Sequence, residues 1–371
     1  MVSESPAAWG AEATLIQLLK SMERVGVEST VVISSGSPFA PHLATHGLHF
    51  VEHEFLIRSP AGRVSGNGAR QRTIQRLLGQ RNLISLMRQH DLVLTFSSWQ
   101  LPEAQLASRL ARRPHAFDLH ETFRAGFRTR LLGLLMRQAS RCFAPTFSVL
   151  EQNGIDRQGL RLSVVPRPVA LPDIDEASQE RHPADRDRPG PSVAIVGQIA
   201  EHKRVRELIT AVDWARIGAR LTVVGGEASP EKRTAYEAEI RKLAAARSGN
   251  VQVINRTSEL EKIYSRTDIV VNCSVHEAFG RTAAEAAVYG AYPVAIGRLG
   301  PAEVIRDLGW GRILDDFASL EGLLADRDLV EEIYYGRRLA QLKARARFGP
   351  QSVAHAYADG LRLAVSDWRP K

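Results

Sequence analysis

Short apolar runs alternate with stretches of helical periodicity along nearly the whole chain. In the first half, runs at 29–34, 48–55, 91–96, 115–120 and 142–145 read as strands, and 11–25, 70–90, 102–111 and 123–139 as helices. In the second half, strands are expected at 192–197, 220–225, 251–254, 269–273 and 292–296. Helices are expected between them, near 204–215, 231–246, 258–265 and 282–289. This alternation predicts an α/β protein with one parallel sheet, wrapped by helices, in each half.

The stretch 166–191 holds six of the 18 prolines and almost no apolar periodicity, so it reads as a linker. A length of 371 residues also suits two domains. The expected division is residues 1–168, a linker at 169–191 and a second domain at 192–345. The tail, 346–371, belongs to a nearly all-helical pattern with one break at 348–350. The start is unusual, because a domain of this plan should open with a full strand in mid-sheet. Either the assigned start falls inside that strand, or the strand is shortened.

The composition is that of an ordinary globular protein, with 44% hydrophobic and 24% charged residues. No apolar run approaches a bilayer span; the run at 131–136 is enclosed by Arg130 and Arg137. Cys142 and Cys273 sit in apolar runs without metal-ligand spacing, as two buried reduced thiols would, and the expected compartment is the cytoplasm. The net charge is +8 and is uneven. Residues 1–168 hold 20 Lys and Arg against 12 Asp and Glu, whereas the remainder holds 29 of each. The first half should therefore prefer an anionic partner or surface. Nucleic acid is not expected, since no reader motif or interleaved aromatic pattern accompanies the charge.

The chemistry concentrates in VNCSVHEAFGRTAAEAAVYGAYPVAIG, residues 271–297. Gly280 lets the chain turn, and a helix follows whose first amides suit a phosphate. Four alanines keep that helix slim. Glu277 and Glu285 flank the turn, and a carboxylate can accept both hydroxyls of a vicinal diol. One segment thus offers a diphosphate site between two diol clamps. The plainer reading makes Glu285 a favourable helix-start charge and Glu277 a solvated loop residue.

HEAFGRTAAEAAVYGAYPV resembles the signature of the retaining family-4 glycosyltransferases, with its Glu-x7-Glu spacing, Phe-Gly after the first Glu, and later Gly and Pro-Val. VAIVGQIAEHKRVRELITAV, LTVVGG and GPAEVI follow the family's order, while PAAWGAEATLIQLLK and HAFDLHET resemble its opening and its His-bearing strand end. The resemblance implies the GT-B fold, two Rossmann-like parallel-sheet domains facing across a cleft. The first would bind the acceptor and the second the nucleotide sugar, with the C-terminal helix packing back on the first. It also implies roles. Glu277 would contact the donor sugar and Glu285 clamp the ribose. Backbone amides of Ala278, Phe279, Gly280 and Arg281 would face sugar and phosphates, Lys203 would neutralise the departing diphosphate, His120 would lie near the sugar, and Gly10 would approach the diphosphate. Glu303 is a weaker candidate. Taken singly, Lys203 could be a solvated lysine and His120 a structural histidine.

Three positions depart from the family pattern. Gln198 stands where an arginine is usual, Trp9 where a glycine is usual, and Arg167 where an asparagine is usual. Arg204 or Arg281 could supply the cation that Gln198 lacks. The implied reaction is retaining transfer from a nucleoside-diphosphate sugar, UDP-sugar by default, to a hydroxyl acceptor in glycan, glycolipid or secondary-metabolite biosynthesis, without metal. The pairs Asp173/Asp175, Asp185/Asp187 and Asp326/Asp328 do not follow apolar strands and are read as chance. The alternative is a GT-B protein of weakened or lost activity that binds a nucleotide sugar or a partner. For 70–90, Ile74, Leu77, Leu78, Ile84 and Met87 could form one face among the arginines. This is either an ordinary domain helix or a peripheral contact with an anionic membrane at its inner face, which would suit an anionic or lipid-linked acceptor.

Overall fold

The computed structural model describes residues 10–56, 69–123, 126–172, 190–227, 229–247 and 249–369. The chain splits into two compact units, Met1–Pro168 with Pro350–Lys371, and Val169–Gly349. Trp9, most of the proline-rich stretch and the Asp173/Asp175 and Asp185/Asp187 pairs lie outside the described residues, as does any first strand before Gly10.

In unit 1, strands β1 (Val31–Ser34) and β2 (Phe50–His53) pair in parallel. A second parallel ladder runs through β3 (Val93–Thr95), β4 (His115–Asp118), β5 (Arg141–Ala144) and β6 (Leu162–Val164). The helices are α1 (Gly10–Glu23), α2 (Ala40–Thr45), α3 (Ala69–Arg88), α4 (Leu101–Ala111), α5 (Phe127–Gln138) and α6 (Ser148–Gln152). Strands β3 and β4 are buried throughout, including the polar side chains of Thr95, His115 and Asp118. The C-terminal helix Pro350–Ser366 joins this unit against α1 and β5. Gly360 makes that approach possible: a Cβ there would stand 2.4 Å from the Phe143 ring, which stacks on Tyr357 at 4.6 Å.

At the C-terminal end of α3, the apolar face packs inside the unit. Leu83 and Met87 are buried in one cluster and Ile84 packs against it. The side chains of Arg70, Arg72, Ile74, Arg76, Leu77 and Leu78 lie outside the described residues.

Unit 2 holds one six-stranded sheet of β7 (Ser192–Val196), β8 (Arg220–Gly226), β9 (Val251–Asn255), β10 (Ile269–Asn272), β11 (Tyr292–Ile296) and β12 (Arg312–Leu314). All neighbours are parallel, in the order β12-β11-β10-β7-β8-β9. Its helices are α7 (Val205–Ala211), α8 (Trp214–Ile217), α9 (Ala235–Ala245), α10 (Leu260–Tyr264), α11 (Arg281–Val288), α12 (Gly300–Leu308), α13 (Ala318–Ala325) and α14 (Asp328–Phe348). Val169 is buried in this unit's core and donates its N–H to the Phe348 carbonyl, while Arg345 donates to the Pro172 carbonyl. Residues 169–172 are therefore packed chain and part of unit 2. The strand order reverses between β7 and β10. In such sheets the loops leaving the carboxyl ends of those two strands diverge and open a crevice for ligands.

Candidate functional site

The loop after β7 carries Lys203, and the loop after β10 carries Glu277. Because β7 and β10 are neighbours at the reversal, residues 74 positions apart meet: Lys203 Nζ donates to Glu277 Oε2 at 2.7 Å. Both side chains are about one-fifth exposed (23% and 21%). Two further bonds stitch the loops together. The Val275 N–H donates to the His202 carbonyl at 2.9 Å, and the Cys273 thiol donates to the Lys203 carbonyl at 3.1 Å. Burial pushes that thiol up to about 12, so it serves as a neutral donor.

Glu285 lies in α11 and is almost wholly buried. Arg281 donates to its Oε1 from Nε at 3.1 Å and from Nη2 at 2.7 Å, and Tyr264 O–H donates to its Oε2 at 2.7 Å. Burial, followed by the neighbouring Glu285 charge, raises the Tyr264 phenol well above its ordinary value, so it stays a donor. A carboxylate has about four acceptor positions. Glu285 is thus a fixed acceptor with capacity remaining, held in place before any ligand arrives.

Gly280 precedes α11 with φ +87°. Its turn is also a close approach, because a Cβ there would meet Pro301 Cγ at 2.5 Å and Pro301 Cα at 2.8 Å. The Gly300 N–H donates to the Glu277 carbonyl at 3.1 Å. The segment Glu277, Ala278, Phe279, Gly280 is consequently pinned between the starts of α11 and α12, with Phe279 buried against Phe348. Gly280→Ala combines a left-handed backbone with overpacking and is expected to destabilise unit 2 by about 2–4 kcal/mol. A thermal melt that matched the wild type would contradict the close approach.

The other residues named from sequence are placed as follows. Gln198 is exposed just past β7. Arg204 adopts a left-handed conformation at the start of α7, and its guanidinium lies 4.4 Å from the Phe317 ring centroid. Arg281 is engaged by Glu285, as above. Glu303 sits half-buried in the first turn of α12. Gly10 opens α1, and His120 follows β4; both belong to unit 1.

His120 stacks on Phe96 at 4.2 Å, and its Nδ1 lies 3.9 Å from Asp118 Oδ1. Burial lowers its pKa, outweighing the raising influence of Glu121 and Asp118, so the ring is neutral at pH 7. Sequence reasoning did not find the group around it. Arg167 grips buried Asp118 through both nitrogens, Nη1 to Oδ2 at 2.8 Å and Nη2 to Oδ1, and also donates to Tyr357 Oη at 2.8 Å. The substitution at 167 is thus a buried counter-ion. Nearby, the Arg128 guanidinium lies 3.8 Å from the Trp99 ring centroid and 4.2 Å from that of Phe123, while Ser98 donates to Glu121. Tyr264, the second partner of Glu285, was also missed. Among the described residues, no group of three His, Cys, Asp or Glu is placed to hold a metal ion.

Residues 177–339 match the family described as glycosyl transferases group 1. No curated protein sequence matches the chain significantly. Among solved structures, the chain resembles HepE of Anabaena in complex with UDP at 18% identity and TM-score 0.77, covering 97% of this chain and 98% of that one. It resembles the lipopolysaccharide outer core galactosyltransferase WaaB at 16% identity and TM-score 0.71, covering 97% and 98%. It also resembles the sucrose-phosphate synthase of Thermosynechococcus elongatus at 16% identity and TM-score 0.70, covering 99% of each chain.

Proposed function

From the premise that this chain is a glycosyltransferase, with a group 1 domain at residues 177–339 in a GT-B α/β fold, we propose that it moves a sugar from a nucleoside-diphosphate sugar to an acceptor hydroxyl with retention of configuration. The observation that carries this reading is the pairing of Lys203 with Glu277 at 2.7 Å at the sheet reversal, one turn of loop from a helix start that holds Glu285 rigid. A nucleoside-diphosphate sugar presents a ribose diol, two phosphates and a sugar in series. Glu285 offers acceptor capacity to the diol. The α11 start and Lys203 offer positive charge to the diphosphate, and Glu277 offers an acceptor to the sugar hydroxyls.

The Lys203–Glu277 pair keeps about one-fifth of each side chain in solvent, so water can replace either partner. Lys203 can therefore turn to an incoming phosphate at little cost. In the proposed step the bond from the anomeric carbon to the β-phosphate oxygen breaks, and its electron pair goes to the phosphate. The acceptor oxygen bonds to the anomeric carbon from the face just vacated, and its proton passes to that phosphate oxygen. Lys203 and the helix start stabilise the negative charge as it grows, so no metal is needed. His120, neutral and held by stacking, is proposed as the unit 1 group that acts on the sugar. UDP is the favoured nucleotide, supported by the UDP held in the similar HepE structure. The acceptor is proposed to be an anionic or lipid-linked hydroxyl compound, from the basic excess of residues 1–168.

Thermal shifts with UDP, GDP, ADP and TDP test the donor half of this reading. A nucleotide at about 100 times its dissociation constant adds about 2.7 kcal/mol of stability. UDP is expected to raise the melting temperature of the wild type and to do so much less in Glu285→Ala. No shift with any nucleotide, or an undiminished shift in the variant, would overturn it.

A further inference from the structure

We propose that unit 1 holds a separate site for a soluble small molecule with two or more phosphate groups, in the cavity where β4 and β5 begin. This cavity of about 740 Å³ lies among α4, α5, residues 159–161 and the chain end at 367–369. Its size suits a metabolite, since small-molecule sites commonly span roughly 300–1,000 Å³. His115 opens β4 and lines the cavity, whereas His120 follows the far end of the same strand. The four residues of β4 put roughly 13 Å of strand between them. The cavity is therefore apart from the carboxyl ends of the strands, where the transfer chemistry is proposed.

Six arginines line it: Arg109, Arg112, Arg113, Arg137, Arg161 and Arg369. The fold gathers them from α4 and its end, from α5, from the loop before β6 and from the chain end. Arg109 donates to the Gln138 side chain, Arg113 to the Arg88 carbonyl, Arg137 to the Gln158 carbonyl and Arg369 to the Ser366 and Trp368 carbonyls. All of these acceptors are neutral, and among the described residues none of the six pairs with a carboxylate. The one carboxylate on the lining, Asp367, accepts from Arg141 at 3.0 Å. Like charges gathered on one wall repel, and an anion relieves that repulsion. A guanidinium fork matches two phosphate oxygens, so phosphate is the anion that several arginines hold best. Trp368 adds an apolar wall for the organic part of such a molecule.

A second observation comes from buried donors at this wall. His115 is 4% exposed, and its Nε2 lies 2.8 Å from Thr95 Oγ1. Burial, followed by the Arg109 charge, lowers its pKa to about 3, so the ring is neutral at pH 7 and carries one N–H. In the tautomer where the Thr95 hydroxyl donates to Nε2, that N–H is on Nδ1. Nδ1 is buried without a hydrogen-bond partner among the described residues, and so is Arg113 Nε. Buried polar groups nearly always have partners. Phosphate oxygens in the cavity would supply acceptors to both.

The test is calorimetric titration of the full chain with inorganic tripolyphosphate, without lipid. It is run on Lys203→Ala as the parent, so that the donor loops lack their lysine. Saturable binding is expected. Arg112→Gln, Arg137→Gln, Arg161→Gln together should weaken it at least about tenfold, as one charge-assisted hydrogen bond is commonly worth that much. Arg24→Gln, Arg81→Gln, Arg130→Gln removes the same charge from exposed positions outside the cavity, and should bind as the parent does. Asp367→Asn keeps an acceptor for Arg141, removes the one negative charge on the lining and should tighten binding severalfold.

No binding by the parent, undiminished binding in the cavity variant, equal loss in both triple variants, or weaker binding in Asp367→Asn would overturn the proposal. Ligand-free melting temperatures check that each variant is folded, and the Asp367 arm decides the matter if the cavity variant is not. Neither a nucleotide nor Lys203 enters the measurement, so its outcome is separate from that of the donor reading.

Discussion

Arg167→Ala is expected to lower the melting temperature of unit 1 by roughly 10 °C. Asp118 has its side chain fully buried on β4, and Arg167 is the cation that meets both its oxygens. Removing one partner of a buried pair leaves an uncompensated charge, which costs about 3–5 kcal/mol. For a unit of nearly two hundred residues, each kcal/mol moves the melting temperature by about 2–4 °C. The same guanidinium donates to Tyr357 on the C-terminal helix, so the loss also loosens the element that brings residues 350–366 back to this unit. Arg167→Lys keeps the charge and loses the two-nitrogen fork, and an intermediate drop is expected. The double variant Asp118→Asn, Arg167→Gln, which removes both charges together, should be more stable than Arg167→Ala. A melt within 1 °C of the wild type for Arg167→Ala would sink this account. The UDP-dependent shift proposed for unit 2 serves as the internal reference.

The parts of the site legible in the sequence were those built from neighbours along the chain. Glu277, Gly280 and Glu285 fall within nine residues, so turn, helix start and carboxylates could be read as one motif. The parallel sheets were legible for a similar reason, because β7, β10 and β11 are almost wholly buried runs of four or five residues. Pairings across long separations left little trace. Tyr264 reaches Glu285 from 21 positions away and Arg167 reaches Asp118 from 49. In sequence, Tyr264 is one more apolar position of a helix, and Arg167 is only a departure from a family pattern. Strands β6 and β12 were missed because neither is fully buried, so no strong apolar run marks them, unlike the equally short but buried β3. Helix α12 had a readable signal: Pro301 at its start, Glu303 in its first turn, Arg306 in its last and Gly309 beyond it. For the arginine-rich helix α3, the reading as an ordinary domain helix agrees with the inward packing of Leu83, Ile84 and Met87.

Lys203→Ala should slow release of nucleoside diphosphate from a UDP-sugar by about 10²–10³-fold while leaving the fold nearly as stable as before. The two expectations have different origins. In the resting protein, Lys203 donates to Glu277 and both side chains keep contact with solvent, so loss of the pair leaves neither charge fully buried. In the proposed reaction the leaving diphosphate would gain charge beside it, and removing one preorganised donor from such a position typically costs about 2.7–4 kcal/mol of barrier. Lys203→Arg should retain more activity than the alanine variant if charge is the main contribution. Glu277→Gln removes the resting pair without removing the cation, so its loss should be of a different kind, in recognition of the sugar. Because the two side chains touch, the double variant should lose less than the product of the two single losses. Gln198 adds a further comparison. It lies exposed beyond the same strand, where Gln198→Arg would add a cation to the diphosphate side, and a larger UDP-dependent thermal shift is expected. If Lys203→Ala released the nucleotide as fast as the wild type, the lysine would be a surface ion-pair partner only, and the positive charge that stabilises departure would have to come from the α11 start alone.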